Sequence, residues 1–191
     1  MNSAHWIQTY TGLAFDLVEP SPGSVDVEDI AHALSLLCRY TGHCAWFYSV
    51  AQHSILVSEI VAATAPELAL AALLHDAEEA YVGDWSSPLK AVIRDSASYA
   101  LTPERAAQAA VEQRFGLTLS LADRGTIKAA DLIALVTEKR DLFGPAPRSG
   151  WGDATGFRMP EPLDQRIQCI PDPGYWKVRF LERFEVLGGV R

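Results

Sequence analysis

Apolar residues recur with the 3.6-residue period of an α-helix along most of the chain. Cap residues, prolines and glycines divide this pattern into separate helices. The expected helices span 26–41, 50–65, 68–81, 103–115, 121–143 and 175–186. Residues 7–18, with the polar pair Thr11-Gly12 between Tyr10 and Phe15, favour a small hairpin instead. The pattern therefore predicts an all-α fold with a short extended segment near the N-terminus.

Two segments interrupt the helical pattern with turn-forming residues. Residues 83–90, which include Gly83 and Pro88, are expected to form an ordered loop that leads out of the third helix. Residues 144–173 are rich in proline and glycine and predict a long irregular connection that covers either a site or a subunit interface. The chain of 191 residues is long enough to bury one complete core, so we expect a single domain over residues 1–191.

An abrupt change from apolar to charged residues marks the end of the third helix. The apolar run ends in His75, Asp76 and Glu79, whose side chains project to overlapping sides of a continuous helix. A single His-Asp pair on a helix is more often a satisfied core histidine than a ligand pair. Two further helices, however, bring His53 and Asp131 to faces that packing alone would fill with leucine. The pattern indicates a site shared by three helices.

Two imidazoles and two carboxylates form a mixed nitrogen and oxygen ligand set. The set His53, His75, Asp76 and Asp131 suits a divalent transition metal such as Mn, Co, Fe, Ni or Zn. Mg²⁺ prefers more oxygen ligands and is kept as the candidate for a second site. We therefore expect a divalent metal as cofactor.

The charge balance restricts the partners. The net charge is −8, and the 16 basic residues are scattered, so the sequence lacks the basic footprint of a protein that binds a nucleic-acid polymer. No apolar run approaches the ~18 to 20 residues of a spanning helix, and the first residues do not have the pattern of a signal peptide. We expect a cytoplasmic protein with a small-molecule ligand and no membrane partner.

The three cysteines argue against a disulfide framework. Cys38, Cys44 and Cys169 are an odd number and lack the C-x-x-C spacing of a zinc ribbon. We expect them to be reduced, with Cys38 and Cys169 partly buried.

The order His, His-Asp, Asp resembles the HD-domain superfamily of metal-dependent phosphohydrolases, which are all-helical. Longer segments are similar to the bacterial and phage branch that contains 5'-deoxynucleotidases and dATP triphosphohydrolases. These segments are 48–54, 74–81, 83–84, 88–90 and 140–142. The similarity covers nearly the whole chain and implies an HD-type helical bundle that hydrolyses phosphate from a nucleotide.

The resemblance also implies a role for four residues around the metal. Glu79 matches the glutamate that positions the attacking water and receives its proton. Asp84 matches a second carboxylate near that water or near a second metal. Arg39 and Lys90 look like the cations that bind the phosphate, which an acidic protein needs locally.

Three neighbouring side chains are assigned from their sequence context. Trp46 belongs either to the core or to a wall that stacks on the base, and Trp85, in the polar loop, favours the substrate side. Glu78, beside Glu79, is expected to be a solvated charge on the helix face.

Alternatives remain for the reaction and for the assembly. A dATP-type triphosphohydrolase needs extra cations, for which Lys128, Lys139 and Arg94 are the candidates, so the sequence favours the monophosphate. A non-catalytic nucleotide- or metal-binding HD protein is the alternative of another class. No histidine follows position 75, and Ala80 follows Glu79, which argues against cyclic-nucleotide phosphodiesterases and guanosine-tetraphosphate hydrolases respectively. A homo-oligomer is left open.

Overall fold

The described part of the chain is mostly helical and carries one small β-hairpin. The structure is a computed structural model that describes residues 5–145 and 159–190. The strands are β1 (Trp6–Gln8) and β2 (Ala14–Asp16). The helices are α1 (Val27–Leu36), α2 (Val50–Ala62), α3 (Ala69–Leu73), α4 (Glu79–Val82), α5 (Ser87–Ala97), α6 (Thr102–Arg114), α7 (Leu121–Leu142) and α8 (Pro173–Val186). The predicted all-α class and N-terminal hairpin are confirmed at this level.

Side-chain caps fix where the helices begin. The Asp26 carboxylate accepts a hydrogen bond from the backbone N–H of Glu28 and caps α1. Ser49 forms a reciprocal capping box with Gln52 at the start of α2, and Ser120 caps α7 in the same way. Because these caps satisfy the first backbone N–H groups, α2 and α7 have defined starts, and these helices carry most of the site.

Helix α2 lies at the centre of the bundle and packs against α1, α3, α7 and α8. The main core includes the fully buried rings of Phe15, Phe180 and Phe184. A second apolar cluster lies between α2, α3 and α7. The hairpin joins the main core because the Phe15 ring of β2 stacks on the Tyr81 ring, with centroids 3.9 Å apart.

The predicted continuous helix over 68–81 is wrong. Helix α3 ends at Leu73, residues 74–78 form turns, and α4 begins at Glu79. Within this break the backbone N–H of Ala77 bonds the carbonyl of Leu74, three residues back, in place of the partner four residues back. The break allows the ring of His75 to bond the Ala72 carbonyl, and this local side-chain hydrogen bond competes with the regular helical pattern.

The first helix and the expected loop over 83–90 also differ from prediction. Helix α1 ends at Leu36, and residues 39–42 form a tight turn in which Tyr40 and Thr41 have positive φ. Pro88 lies in the first turn of α5, where a proline's missing N–H costs nothing, so Lys90 is on a helix.

Several further expectations concern burial and irregular segments. Cys38 is half-buried, as expected, whereas Cys169 is exposed, so that expectation is wrong. Cys169 lies in an extended segment before α8. Much of the long connection expected over 144–173 lies outside the described residues. Within the described ranges, no helix is both long and apolar enough to cross a membrane.

Candidate metal centre

Three of the four predicted ligands meet in one cluster, in which His53 is fully buried and His75 and Asp131 are half-buried. His53 lies on α2, His75 in the turn after α3, and Asp131 on α7. One donor atom from each residue lies within 4.8 Å of the other two. The His53 and His75 rings are 5.2 Å apart, measured between centroids. The three residues converge as predicted, but only His53 and Asp131 lie on helices, and His75 is placed by the turn that follows α3.

Neither histidine makes a hydrogen bond through its Nε2 atom within the described part of the chain. His53 Nδ1 donates to Glu138 Oε1 at 2.6 Å, and His75 Nδ1 donates to the Ala72 carbonyl at 2.8 Å. The two Nε2 atoms are buried and have no hydrogen-bond partner among the described residues. An imidazole that donates from Nδ1 keeps its Nε2 lone pair available to a metal. The cluster therefore fits a divalent metal ion.

Asp76, the fourth predicted ligand, touches both imidazoles. Its Oδ2 lies 3.2 Å from His75 Nε2 and 3.5 Å from His53 Nε2. Burial alone would raise the pKa of Asp76, but the neighbouring His75 and His53 outweigh it and hold that pKa well below its usual range. A carboxylate that stays charged beside two imidazole nitrogens is a suitable fourth donor.

Asp131 and His53 interact strongly. Asp131 Oδ1 lies 3.2 Å from His53 Nε2, and Asp131 Oδ2 accepts a hydrogen bond from Lys128 at 2.5 Å. Burial and the Arg39 charge lower the pKa of His53, but Glu138 and Asp131 outweigh them and raise it to about 9. The carboxylates of the centre thus favour the protonated, positively charged form of His53.

Glu138 is the main functional residue that the sequence analysis missed. Its fully buried carboxylate accepts hydrogen bonds from His53 Nδ1, from the hydroxyls of Tyr40 and Tyr48, and from Arg39 Nε at 3.3 Å. Burial would raise its pKa, but the charges of Arg39 and His53 outweigh burial and lower it. Glu138 therefore stays ionised and orients the His53 ring.

A spacing along α7 could have revealed Glu138. It follows Asp131 by seven residues, which is about two helical turns and places both carboxylates on one face of α7. A second acid at this spacing, inside an otherwise apolar stripe, is the available signal.

A second group of charges lies around Glu79. Glu79 is 4% exposed, and Lys90 Nζ lies 3.4 Å from Glu79 Oε1 and 2.6 Å from Glu104 Oε1. Burial, reinforced by the charges of Asp76 and Asp84, raises the pKa of Glu79 to about 10. Burial also raises the pKa of Asp84. Lys90 thus connects the predicted base to Glu104, which the sequence analysis did not identify.

Arg39 lies between the two groups of charges. It is 9% exposed, and its Nη1 lies 3.7 Å from Asp76 Oδ2 while its Nε bonds Glu138. The guanidinium is therefore at the centre, as the resemblance implies.

The structure changes the assignment of Glu78 and places the two tryptophans. Glu78 is 6% exposed, so the expectation of a solvated charge is wrong. The turn over 74–78 directs this side chain inward, where its Oε2 lacks a hydrogen-bond partner among the described residues. Trp46 and Trp85 are both half-buried.

A cavity of about 290 Å³ opens onto the centre. His75, Asp76 and Asp131 line one end of it, and helices α6 and α7 supply most of the remaining wall. Neither Trp46 nor Trp85 contributes to its lining. The arrangement can hold a cation at one end and a small molecule beside it.

Two relatives are similar to this chain over nearly its whole length. The chain is 37% identical to the uncharacterized protein YfdR of Escherichia coli (strain K12), and the alignment covers 97% of each protein. It is 39% identical to an uncharacterized protein of Rhodobacter capsulatus, over 95% of each. A scan against models of protein families gives no match.

Proposed function

We infer that this chain, which belongs to the same protein family as YfdR of Escherichia coli, is a metal-dependent phosphohydrolase of the HD type. Its proposed substrate is a 2'-deoxynucleoside 5'-monophosphate. The observation that carries the proposal is the convergence of two imidazole Nε2 atoms, neither of which makes a hydrogen bond to a described residue, with Asp76 and Asp131 beside the buried Glu79 and its partner Lys90.

The ligand set supports hydrolysis by a divalent ion. His53, His75, Asp76 and Asp131 would hold it, and a bound ion of this kind lowers the pKa of water and neutralises phosphate charge. The order of these ligands along a helical chain also supports the HD assignment.

The protein's own side chains supply the remaining roles. Arg39 and Lys90 bind the phosphate oxygens, because both are cations held at the centre by buried carboxylates. Glu79 takes the proton of the attacking water. A divalent ion nearby favours the charged form of Glu79, as this role requires.

The charges at the centre support a monophosphate over a triphosphate. Arg39 faces Asp76 and Glu138, Lys90 faces Glu79, and Lys128 faces Asp131. A triphosphate brings about two more negative charges than a monophosphate and needs cations in addition to Arg39 and Lys90. Among the described residues next to the centre, these three cations are each paired with carboxylates.

A phosphate-release panel tests the proposal. The purified protein is supplied with Mn²⁺, Co²⁺ or Mg²⁺ and with ribo- and deoxyribonucleoside mono-, di- and triphosphates. We expect inorganic phosphate from deoxynucleoside monophosphates. Release of triphosphate from dATP would show that the substrate is a deoxynucleoside triphosphate and not a monophosphate. Metal binding without hydrolysis of any nucleotide would support a non-catalytic sensor.

A matched pair of variants tests the role of Glu79. Glu79→Gln should bind metal as the wild type does and lose about 10² to 10⁴ in kcat, the usual contribution of a general base. Glu67→Gln, at an exposed glutamate, should keep the wild-type rate. Full activity of Glu79→Gln would assign the base to another residue.

A further inference from the structure

The cavity beside the metal centre has no role in the chemistry described so far. It begins at the candidate ligands His75, Asp76 and Asp131 and extends away from them between α3, α6 and α7. A substrate whose phosphate lies at the metal must place its remaining atoms next to the centre. This cavity, at about 290 Å³, provides a volume for them.

The cavity has an apolar wall. The residues of this wall are Ala71, Leu74, Val111, Leu117, Leu119 and Ile127. Apolar walls with a few polar groups are typical of sites for small organic ligands, which range from about 300 to 1,000 Å³. At about 290 Å³, just below that range, the cavity suits a ligand of about the size of one nucleoside.

The lining also contains a hydrogen-bonded group of polar side chains. The Glu112 carboxylate accepts two hydrogen bonds from Arg124, at 2.8 and 2.9 Å, and one from Gln108 Nε2 at 3.3 Å. The bidentate pair holds Glu112 in place, and Glu112 in turn orients the Gln108 amide. An amide offers both a donor and an acceptor, as required for contact with the edge of a base.

Lys128 lies between the two ends of the cavity. It contributes to the lining, is 55% exposed at its side chain and bonds Asp131 Oδ2 at 2.5 Å. Arg124, Lys128 and Asp131 lie at intervals of four and three residues on one face of α7. One face of a single helix thus leads from the ligand Asp131 to the polar group at Glu112.

We propose that this cavity holds the sugar and base of the nucleotide, with Gln108 at the base edge and Lys128 at the junction with the phosphate. The proposal rests on the proposed function and makes it more specific. In this arrangement the base does not stack on Trp46 or Trp85, because neither side chain lines the cavity.

The test fills the cavity and leaves the metal centre unchanged. Leu119→Trp introduces an indole at the apolar wall, and Leu121→Trp places the same ring at a side chain that is 90% exposed and outside the lining. We expect Leu119→Trp to raise the KM for the deoxynucleotide about tenfold or more, as expected when a pocket contact is lost. The inhibition constant of inorganic phosphate should stay at the wild-type value, and Leu121→Trp should change neither quantity.

A second variant covers the outcome in which Leu119→Trp does not fold. Gln108→Ala removes only a half-buried polar side chain. It should change the ratios of kcat/KM among dAMP, dCMP, dGMP and TMP. An unchanged KM in Leu119→Trp, or unchanged base ratios in Gln108→Ala, would place the nucleoside outside the cavity.

Failure of the proposed function gives a different result. The wild type would then release no phosphate from any nucleotide. Titration calorimetry with deoxynucleoside monophosphates and Mn²⁺ would still test the cavity in that case. Binding that Leu119→Trp abolishes and Leu121→Trp retains would support it, and binding that both variants retain would refute it.

Discussion

Replacing Glu138 by glutamine tests whether this buried carboxylate prepares His53 to bind a metal. The variant Glu138→Gln keeps the size of the side chain and removes its charge. Glu138 is fully buried and accepts hydrogen bonds from His53, Arg39, Tyr40 and Tyr48. The glutamine amide has one acceptor oxygen where the carboxylate has two. Its NH₂ group is itself a donor and would face the N–H and O–H donors of these four partners.

Two separate losses follow from this geometry. An outer partner of a metal-bound histidine contributes about 10- to 100-fold in metal affinity. Removal of one partner from a buried ion pair costs about 3 to 5 kcal/mol of stability. For a domain of this size, that cost lowers Tm by about 6 to 20 °C. We therefore expect a destabilised variant that binds Mn²⁺ or Zn²⁺ about 10 to 100 times more weakly.

A second variant separates metal binding from stability. Tyr48→Phe removes a hydroxyl that donates to the same Oε1 at 3.1 Å but leaves the bond from His53 to the carboxylate intact. It should cost about 1.5 to 3 kcal/mol, as expected for a hydrogen bond to a charged group. Its metal affinity should stay within about threefold of the wild type, less than the loss of an outer partner.

Titration calorimetry on chelator-treated protein, well below the lowest Tm, measures both affinities. Differential scanning fluorimetry measures stability. If Glu138→Gln binds metal as tightly as the wild type, the carboxylate does not orient His53 for a ligand. If Tyr48→Phe loses affinity in proportion to its stability, the loss in Glu138→Gln reflects general destabilisation.

Three further predictions concern stability. Phe180→Ala should lower the free energy of unfolding in urea by about 3 to 5 kcal/mol, whereas Val178→Ala, at a half-exposed site on the same helix, should change it by less than about 1 kcal/mol. Hydrogen bonds from Arg140 hold the pKa of Asp141 well below its usual range. The ionised Asp141 carboxylate therefore stabilises the fold fully above the unfolded-state pKa of about 3.9, and this stabilisation is lost as the pH falls through the lower folded-state pKa. The stability difference between wild type and Asp141→Asn should therefore be largest near pH 6 and shrink towards pH 2, and a constant difference would refute the assignment. Mn²⁺ at 100 times its Kd should stabilise the chain by about 2.7 kcal/mol, a gain that a chelator should reverse.

Much of the helical framework was predictable because its signals are local. Helix α7 was expected over 121–143 and spans Leu121–Leu142, since the Ser120 cap and the apolar period both lie within the segment itself. The candidate ligands His53 and Asp131 were predictable for a related reason. Polar groups on apolar helix faces require a partner.

The turn over 74–78 could not be predicted from the local sequence, because alanine, leucine and glutamate all favour a helix there. Its cause is tertiary, since the turn brings His75 beside His53 of α2 and Asp131 of α7. The burial of Glu78 follows from the same turn. The cavity depends on how residues of α3, α6 and α7 come together, which no local pattern encodes.

The break between α3 and α4 has opposite effects on two properties of the chain. It lowers thermal stability, and it supports the candidate metal centre. A continuous helix over 69–82 would gain backbone hydrogen bonds of the regular i to i−4 type, which the turns over 74–78 forgo. It would also withdraw the His75 ring from the Ala72 carbonyl that fixes its tautomer. Laboratory evolution for thermal stability alone would therefore select against the candidate metal centre. Selections that add a metal-dependent readout would retain it.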